Sequence, residues 1–163
     1  MLFLLSTPEY TNAQSNTTKV KVHLRNGVAE VFNLHQDLMG RVDNDIVEIE
    51  TNFENRTERS LFVVQDAVFI VSSQGLDANA ETKGTSVYVY AKRAKQIGAG
   101  FSLDELSKQY EQKSSDLANE EQKLAVPGTD PYDRAINSKI FMLKDEVVFL
   151  KKVLQIVKDL RAS

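Results

Sequence analysis

The 163-residue sequence contains no cysteine, no tryptophan and only two histidines. Without cysteine the chain can form neither a disulfide bond nor a thiolate metal site, and a cysteine nucleophile is excluded. The histidines, His23 and His35, lack the helical spacing of a zinc protease. We therefore expect each histidine to have a structural or interface role.

Long apolar runs are also missing. Met1 to Leu5 are apolar, but Ser6, Thr7 and Pro8 follow at once, so the run is too short for a signal peptide or a membrane span. The net charge of −3 provides no basic surface that could dominate phosphate binding. We expect no nucleic-acid partner, and we expect membrane association only through partner proteins.

The residues that could carry chemistry do not form a recognisable catalytic set. An acidic cluster (Asp43, Asp45, Glu48 and Glu50) lacks the ordered ligand pattern of a calcium loop, and a solvated strand edge explains it better. A basic group (Lys92, Arg93 and Lys95) is interpreted as solvated. Gly98-Ala99-Gly100 lacks the third glycine of a dinucleotide site. We expect a non-catalytic protein with no metal ion and no cofactor.

Residues 2–93 show short runs of valine, isoleucine, phenylalanine and tyrosine separated by turn-forming residues, which is typical of strands. Apolar and polar residues alternate over 19–24, 46–50 and 87–90, so one face of each strand can be buried. Leu61 to Val64 and Val68 to Val71 are predicted to be two central strands. The pattern favours an antiparallel β-sandwich or flattened barrel over a parallel sheet. Gln74 to Gly84 is predicted to be an exposed hairpin loop.

A helical period begins after Gly98-Ala99-Gly100, which is interpreted as a hinge. Ser102 and Glu105 have the spacing of a capping box, so a helix is predicted to begin there. Its narrow apolar stripe comprises Leu103, Leu106, Tyr110, Leu117 and Leu124.

A second helix is predicted to begin at Asp130-Pro131, and the short connection predicts an antiparallel hairpin. Its broad stripe comprises Ile136, Ile140, Leu143, Val147, Leu150, Leu154 and Val157. Additional apolar residues, among them Phe141, Val148 and Phe149, predict contact with a partner protein. The expected fold is thus α+β in two parts, with a β-sandwich over 1–97 and a helical hairpin over 98–163. The residues expected in hairpin packing or partner contact are Leu106, Tyr110, Leu117, Phe141, Val148 and Phe149.

A more specific signal is the spacing of glycine, apolar residues and histidine in Gly27, Val31, Phe32, His35, Leu38, Val42 and Ile46. This spacing resembles the epsilon subunit of F-type ATP synthases, which is equivalent to the mitochondrial delta subunit. Thr7-Pro8 is similar to the end of that family's first strand. Phe62-Val63-Val64 and 87–94 are similar to its last sandwich strands, and the terminal helices fit its carboxyl-terminal hairpin.

Several positions depart from that family. Glu30, Asp37 and Asp45 stand where the family has glycine, proline and glycine. Gln65-Asp66 stands near the family's paired glycines, and Gln74 to Gly84 is interpreted as an insertion, so the chain would be a divergent member. The residues 130–135 resemble the family's ATP-binding motif, but the spacing is off by one, so no nucleotide site is predicted.

The resemblance implies a central-stalk rotor subunit that transmits torque and performs no chemistry. It implies that the sandwich binds the gamma subunit and sits on the membrane c-ring, with copurifying alpha and beta subunits. The implied location is the surface of an energy-coupling membrane, on the cytoplasmic side in bacteria or the matrix or stroma side in organelles. The ring contact is then expected at Phe32, Asn33, Leu34, His35 and Gln36. The hairpin of some relatives restrains ATP hydrolysis.

Two other functions are compatible with the same pattern. A free-standing adaptor would use the sandwich and the hairpin stripe to bind unrelated proteins, and a homodimer that buries Phe141, Val148 and Phe149 would support it. A small enzyme or ligand-binding sandwich would require a deep pocket lined by convergent polar groups.

Overall fold

The structure is a computed structural model that describes residues 1–54, 56–73, 84–98 and 101–162. The chain divides into two compact units, Met1–Ala99 and Gly100–Ser163. Most of the predicted loop over Gln74 to Gly84, and two residues of the predicted hinge, Ala99 and Gly100, lie outside the described residues. The predicted class, a β-sandwich followed by a helical hairpin, is confirmed.

The described part of the first unit forms eight strands. Alternation of buried and wet residues explains them: in the third strand Val20 and Val22 are fully buried, whereas Lys19 and Lys21 reach solvent. The strands are β1 (Leu2–Ser6), β2 (Thr11–Gln14), β3 (Thr17–Leu24), β4 (Gly27–Phe32), β5 (Leu38–Phe53), β6 (Arg56–Ser72), β7 (Ser86–Tyr90) and β8 (Arg93–Ile97).

The strand order is β2-β1-β7-β6-β5-β3-β4, and β8 pairs with β6 outside this path. Among the described strands, every pairing is antiparallel except that of β1 with β7, which is parallel from Leu2 opposite Ser86 to Ser6 opposite Tyr90. The antiparallel prediction therefore needs this one correction. Parallel neighbouring strands require a long connection, and here strands β2 to β6 lie between β1 and β7 along the chain.

The prediction of two central strands at Leu61 to Val64 and Val68 to Val71 is wrong, because both runs belong to the single strand β6. Between them Asp66 has a φ of 48°, and the pairing with β5 steps from Asn44–Gln65 to Val42–Ala67. Aspartate tolerates this left-handed conformation better than most residues. The partner of β6 on its other side changes at this irregularity, since the half before Asp66 pairs with β8 and the half after it pairs with β7.

Strands β5 and β6 thereby contribute to both layers of the sandwich. The layers meet at a core in which the Phe3 and Phe62 ring centroids lie 6.2 Å apart. Side chains from most strands pack together in this core. The members that are largest and fully buried include Phe3, Leu5, Val20, Val22, Val31, Val42, Val47, Ile49, Phe62 and Phe69.

The second unit contains helices α1 (Leu103–Leu124) and α2 (Arg134–Ala162). The predicted cap of α1 is confirmed, since the Glu105 amide donates to Ser102 Oγ at 3.2 Å. The predicted start of α2 is wrong by a few residues. Asp130 accepts the Tyr132 amide at 2.9 Å in a turn, and Asp133 instead caps the helix by accepting the Ala135 amide at 2.9 Å.

The two helices pack in an antiparallel pair, and the predicted stripe of α2 is buried or half-buried along its length. Glu120 is buried on α1 and bonds to Lys123 and, across the pair, to Lys139. Both ammonium groups lower the pKa of the Glu120 carboxyl by hydrogen bonding to its ionised form. Two more ion pairs tie the helices together, Lys113–Glu146 at 3.1 Å and Glu121–Lys144 at 2.9 Å.

Neither helix in the described part of the chain has the length and apolar character that a membrane crossing requires.

Candidate functional site

The connection from β4 to β5, residues 33–37, carries most of the ring contact that the resemblance implied. It places apolar side chains in solvent: Phe32 at the end of β4 is 49% exposed, and Leu34 is 85% exposed. Asn33 and Gln36 are also exposed, while His35 is half-buried. The chain thus brings all five predicted residues to one turn at the edge of the sandwich.

Leu34 combines two unfavourable features. Its φ of 66° lies in the left-handed region, where the Cβ of an ordinary residue costs roughly 1–2 kcal/mol. Its side chain also gains almost no burial in return. A strained and exposed leucine contributes little to the stability of the isolated fold, and such residues concentrate at binding sites.

The backbone around Leu34 is fixed by hydrogen bonds. The His35 amide donates to the Phe32 carbonyl at 3.2 Å and closes the turn. The Leu34 amide donates to Thr85 Oγ1 at 2.7 Å, and the Thr85 amide lies 3.5 Å from Asn33 Oδ1. Thr85 could not be found from the sequence, because it bonds to a turn about fifty positions away and no local pattern indicates that contact.

The other end of the turn is held by Asp37. Its Oδ1 accepts the amide of Ser73, the residue after β6, at 2.7 Å. This backbone hydrogen bond, together with one from the Ser73 side chain, lowers the pKa of the Asp37 carboxyl below its usual range. Asp37 stood out in the sequence only as a departure from the proline of the resembling family.

The aromatic member of the turn lies beside a cation. Lys19 Nζ sits 5.8 Å from the centroid of the Phe32 ring, and Lys19 also forms an ion pair with Glu30 at 3.1 Å. His35 Nδ1 lies 2.9 Å from the Gln36 carbonyl oxygen. The surface therefore offers apolar side chains with a polar rim, which is the composition of a protein interface.

Three members of the acidic cluster of the sequence form ion pairs with arginine side chains. Asp43 bonds to Arg25 at 3.0 Å, and Glu48 and Glu50 both pair with Arg59, at 3.2 and 3.0 Å. Over the described ranges, no group of three or more histidine or acidic side chains could hold a metal ion. The geometry is that of a solvated, ion-paired sheet surface.

The predicted solvation of the basic group at Lys92, Arg93 and Lys95 is wrong for Arg93. Its guanidinium donates to Gln65 Oε1 at 2.8 Å, and the Gln65 side chain is almost fully buried. A buried amide oxygen needs a donor, which explains why Arg93 turns inward.

A hollow of about 280 Å³ lies beside the turn and is lined by Asn33, Gly84 and Thr85, together with Met1, Leu2, Ser15 and Ser86. None of these side chains is an acid, a base or an activated nucleophile at neutral pH. The hollow is large enough for a small polar group.

The hairpin residues singled out in the sequence fall into three groups. Leu106 and Phe149 are buried, whereas Tyr110 and Leu117 are half-buried. Phe141 is 69% exposed and Val148 is 52% exposed. Sequence reasoning missed Met142, which is also exposed and adjoins Phe141.

No protein-family model matches the sequence. No curated protein matches it either. Among solved structures, the chain is similar to one in the cryo-EM structure of the Euglena gracilis mitochondrial ATP synthase, described as OSCP/F1/c-ring in rotational state 1. The identity is 12% and the TM-score is 0.51, over 93% of this chain and 79% of the other.

A second similar chain belongs to the central stalk and c-ring of the Tetrahymena thermophila mitochondrial ATP synthase. Its identity is 10% and its TM-score is 0.47, over 94% of this chain and 96% of the other. The likeness at 12% identity is one of fold.

Proposed function

We propose that the chain is a non-catalytic central-stalk subunit of an F-type ATP synthase, corresponding to the epsilon subunit or its mitochondrial delta equivalent. The observation that carries this proposal is Leu34, held in a strained conformation with its side chain in solvent at the turn where the resemblance implies the c-ring contact. The fold likeness to a chain of an ATP synthase assembly supports the same reading.

In this proposal the 33–37 turn and Phe32 rest on the c-ring, and the sandwich binds the gamma subunit. Torque then passes through the ring contact into a rigid sandwich whose two layers share β5 and β6. The chain reaches the energy-coupling membrane only through these partners. The hairpin would restrain ATP hydrolysis by contacting the alpha and beta subunits.

Affinity purification of the tagged full chain from gently solubilised membranes, followed by mass spectrometry, tests the assignment. We expect gamma, alpha, beta and c subunits to dominate the recovered proteins. Recovery of none of them from membranes that contain an intact ATP synthase would reject the rotor assignment.

A second test addresses the turn. Leu34→Glu places a charge on the proposed contact, so it should lower ATP-driven proton pumping relative to ATP hydrolysis. Val28→Glu is a suitable control, because Val28 is also an exposed apolar residue but lies on β4 at the end of the strand away from the turn. Equal pumping by both variants and the wild type would place the contact elsewhere.

An adaptor function is favoured by one observation, the exposure of Phe141, Met142 and Val148 on α2. In that case the purified chain should form a dimer or capture non-ATPase partners through this surface. Light scattering coupled to gel filtration gives the molar mass of the purified chain and distinguishes the two cases. The rotor proposal expects a monomer whose molar mass does not change in Val148→Glu.

A further inference from the structure

The 33–37 turn is attached to the two ends of the connection between β6 and β7. Ser73, just after β6, donates its amide to Asp37, and Thr85, just before β7, accepts the Leu34 amide. These are side chain to backbone bonds between segments that are remote in sequence. The conformation of the turn is therefore set by residues outside it.

Thr85 is well placed to set the conformation of the turn. It is only 2% exposed, and its contact with the Leu34 amide is short at 2.7 Å. Its own carbonyl accepts the Leu2 amide at 3.2 Å, which fixes the residue to β1. A hydroxyl held in this way stabilises only the backbone conformation in which the Leu34 amide donates to it.

We propose that Thr85 is a positioning residue for the c-ring contact: its buried hydroxyl keeps Leu34 in the left-handed conformation that directs the leucine side chain outward. The inference rests on the proposed function of the turn. It adds a buried residue that sets how well the partner is bound, because only the held conformation is competent to bind.

Thr85→Val tests the idea, since valine has nearly the shape of threonine and lacks the acceptor oxygen. Thr85→Ser retains the oxygen and serves as the rescue variant. Thr51→Val is the matched control, because Thr51 is also buried and its hydroxyl lies 3.5 Å from a backbone carbonyl elsewhere in the sandwich.

The first readout is hydrogen exchange of the Leu34 amide in the full chain, measured by NMR. We expect exchange to accelerate roughly 2- to 12-fold in Thr85→Val, the range that a net hydrogen bond of about 0.5–1.5 kcal/mol gives, and to stay near wild type in Thr85→Ser and Thr51→Val. The Ser73 amide, which bonds to Asp37, should not change. Unaltered Leu34 exchange in Thr85→Val would overturn the inference.

The second readout is proton pumping per ATP hydrolysed in membranes that contain each variant. Thr85→Val should stay in the complex but pump less, with recovery in Thr85→Ser. If Leu34→Glu uncouples the enzyme whereas Thr85→Val, with accelerated Leu34 exchange, does not, the positioning role is rejected and the proposed contact stands. If neither variant affects pumping, the proposed contact itself fails and the inference fails with it.

Discussion

Replacing Leu34 by glycine separates the stability of the fold from its proposed function. Glycine adopts a φ of 66° without steric cost, so the change relieves roughly 1–2 kcal/mol of backbone strain. Against this, the greater freedom of glycine in the unfolded chain costs about 0.4–1 kcal/mol. The leucine side chain is already 85% exposed, so the remaining burial contributes only about 0.2–0.5 kcal/mol.

These terms leave Leu34→Gly more stable than the wild type by about 0.5 kcal/mol. Leu34→Ala keeps the Cβ and therefore the strain, so it should be less stable than the glycine variant by about 0.8 kcal/mol. At an ordinary backbone position the order is the opposite, because alanine exceeds glycine by about 0.5–1 kcal/mol. The sign of the difference between the two variants is the decisive quantity.

Urea denaturation monitored by methyl NMR of core valines, such as Val22 and Val89, reports the sandwich separately from the hairpin. An alanine variant that is more stable than the glycine variant would refute the left-handed assignment at Leu34. Both variants should also lose coupled proton pumping, since both remove the exposed side chain. If Leu34→Gly is more stable than the wild type and yet loses coupled pumping, the leucine serves partner binding and not the stability of the fold.

Three further predictions concern packing, capping and charge. Phe62→Ala should destabilise the sandwich by about 3–5 kcal/mol in urea denaturation, whereas Phe53→Ala, at an exposed ring, should stay within about 0.5 kcal/mol of the wild type. Ser102→Ala should destabilise the hairpin by about 1 kcal/mol in the far-ultraviolet circular dichroism melt, and an unchanged melt would mean that the cap bond is not formed in solution. Glu120→Gln should weaken the hairpin at neutral pH more than the exposed Glu121→Gln does. Because the folded pKa of Glu120 is lowered from about 4.5, its contribution is present above that value and is lost as pH falls through the folded pKa, so wild type and Glu120→Gln should converge in acid.

Local patterns in the sequence were enough to predict the elements whose stability is itself local. The alternation of Val20 and Val22 with lysines determined a half-buried strand, and Ser102 with Glu105 determined where α1 begins. The stripe of α2 similarly followed from its period. In each case the residues that decide the structure lie within one or two turns of each other.

Features that depend on distant partners could not be predicted in the same way. Asp66 looks like a strand breaker in sequence, yet β5 and β6 continue past it, and β7 and β8 each pair with one half of β6. The observed start of α2 differs from the predicted one because Asp130 and Asp133 can both cap a helix. Asp130 stabilises a turn, and Asp133 caps α2. The turn at Leu34 was located by resemblance, but its strain and its attachment to Thr85 emerge only from the pairing in space.

The shared strands also determine how the sandwich bears mechanical load. Strand β5 begins at Leu38, directly after the turn, and pairs with β6 without a change of partner as far as Phe53 at the opposite end. A force applied at the turn and directed along β5 would load this long ladder in shear, so many hydrogen bonds would resist together instead of opening one after another. The sandwich would then deform little under such a force, and the ladder would be weakest at the irregularity at Asp66.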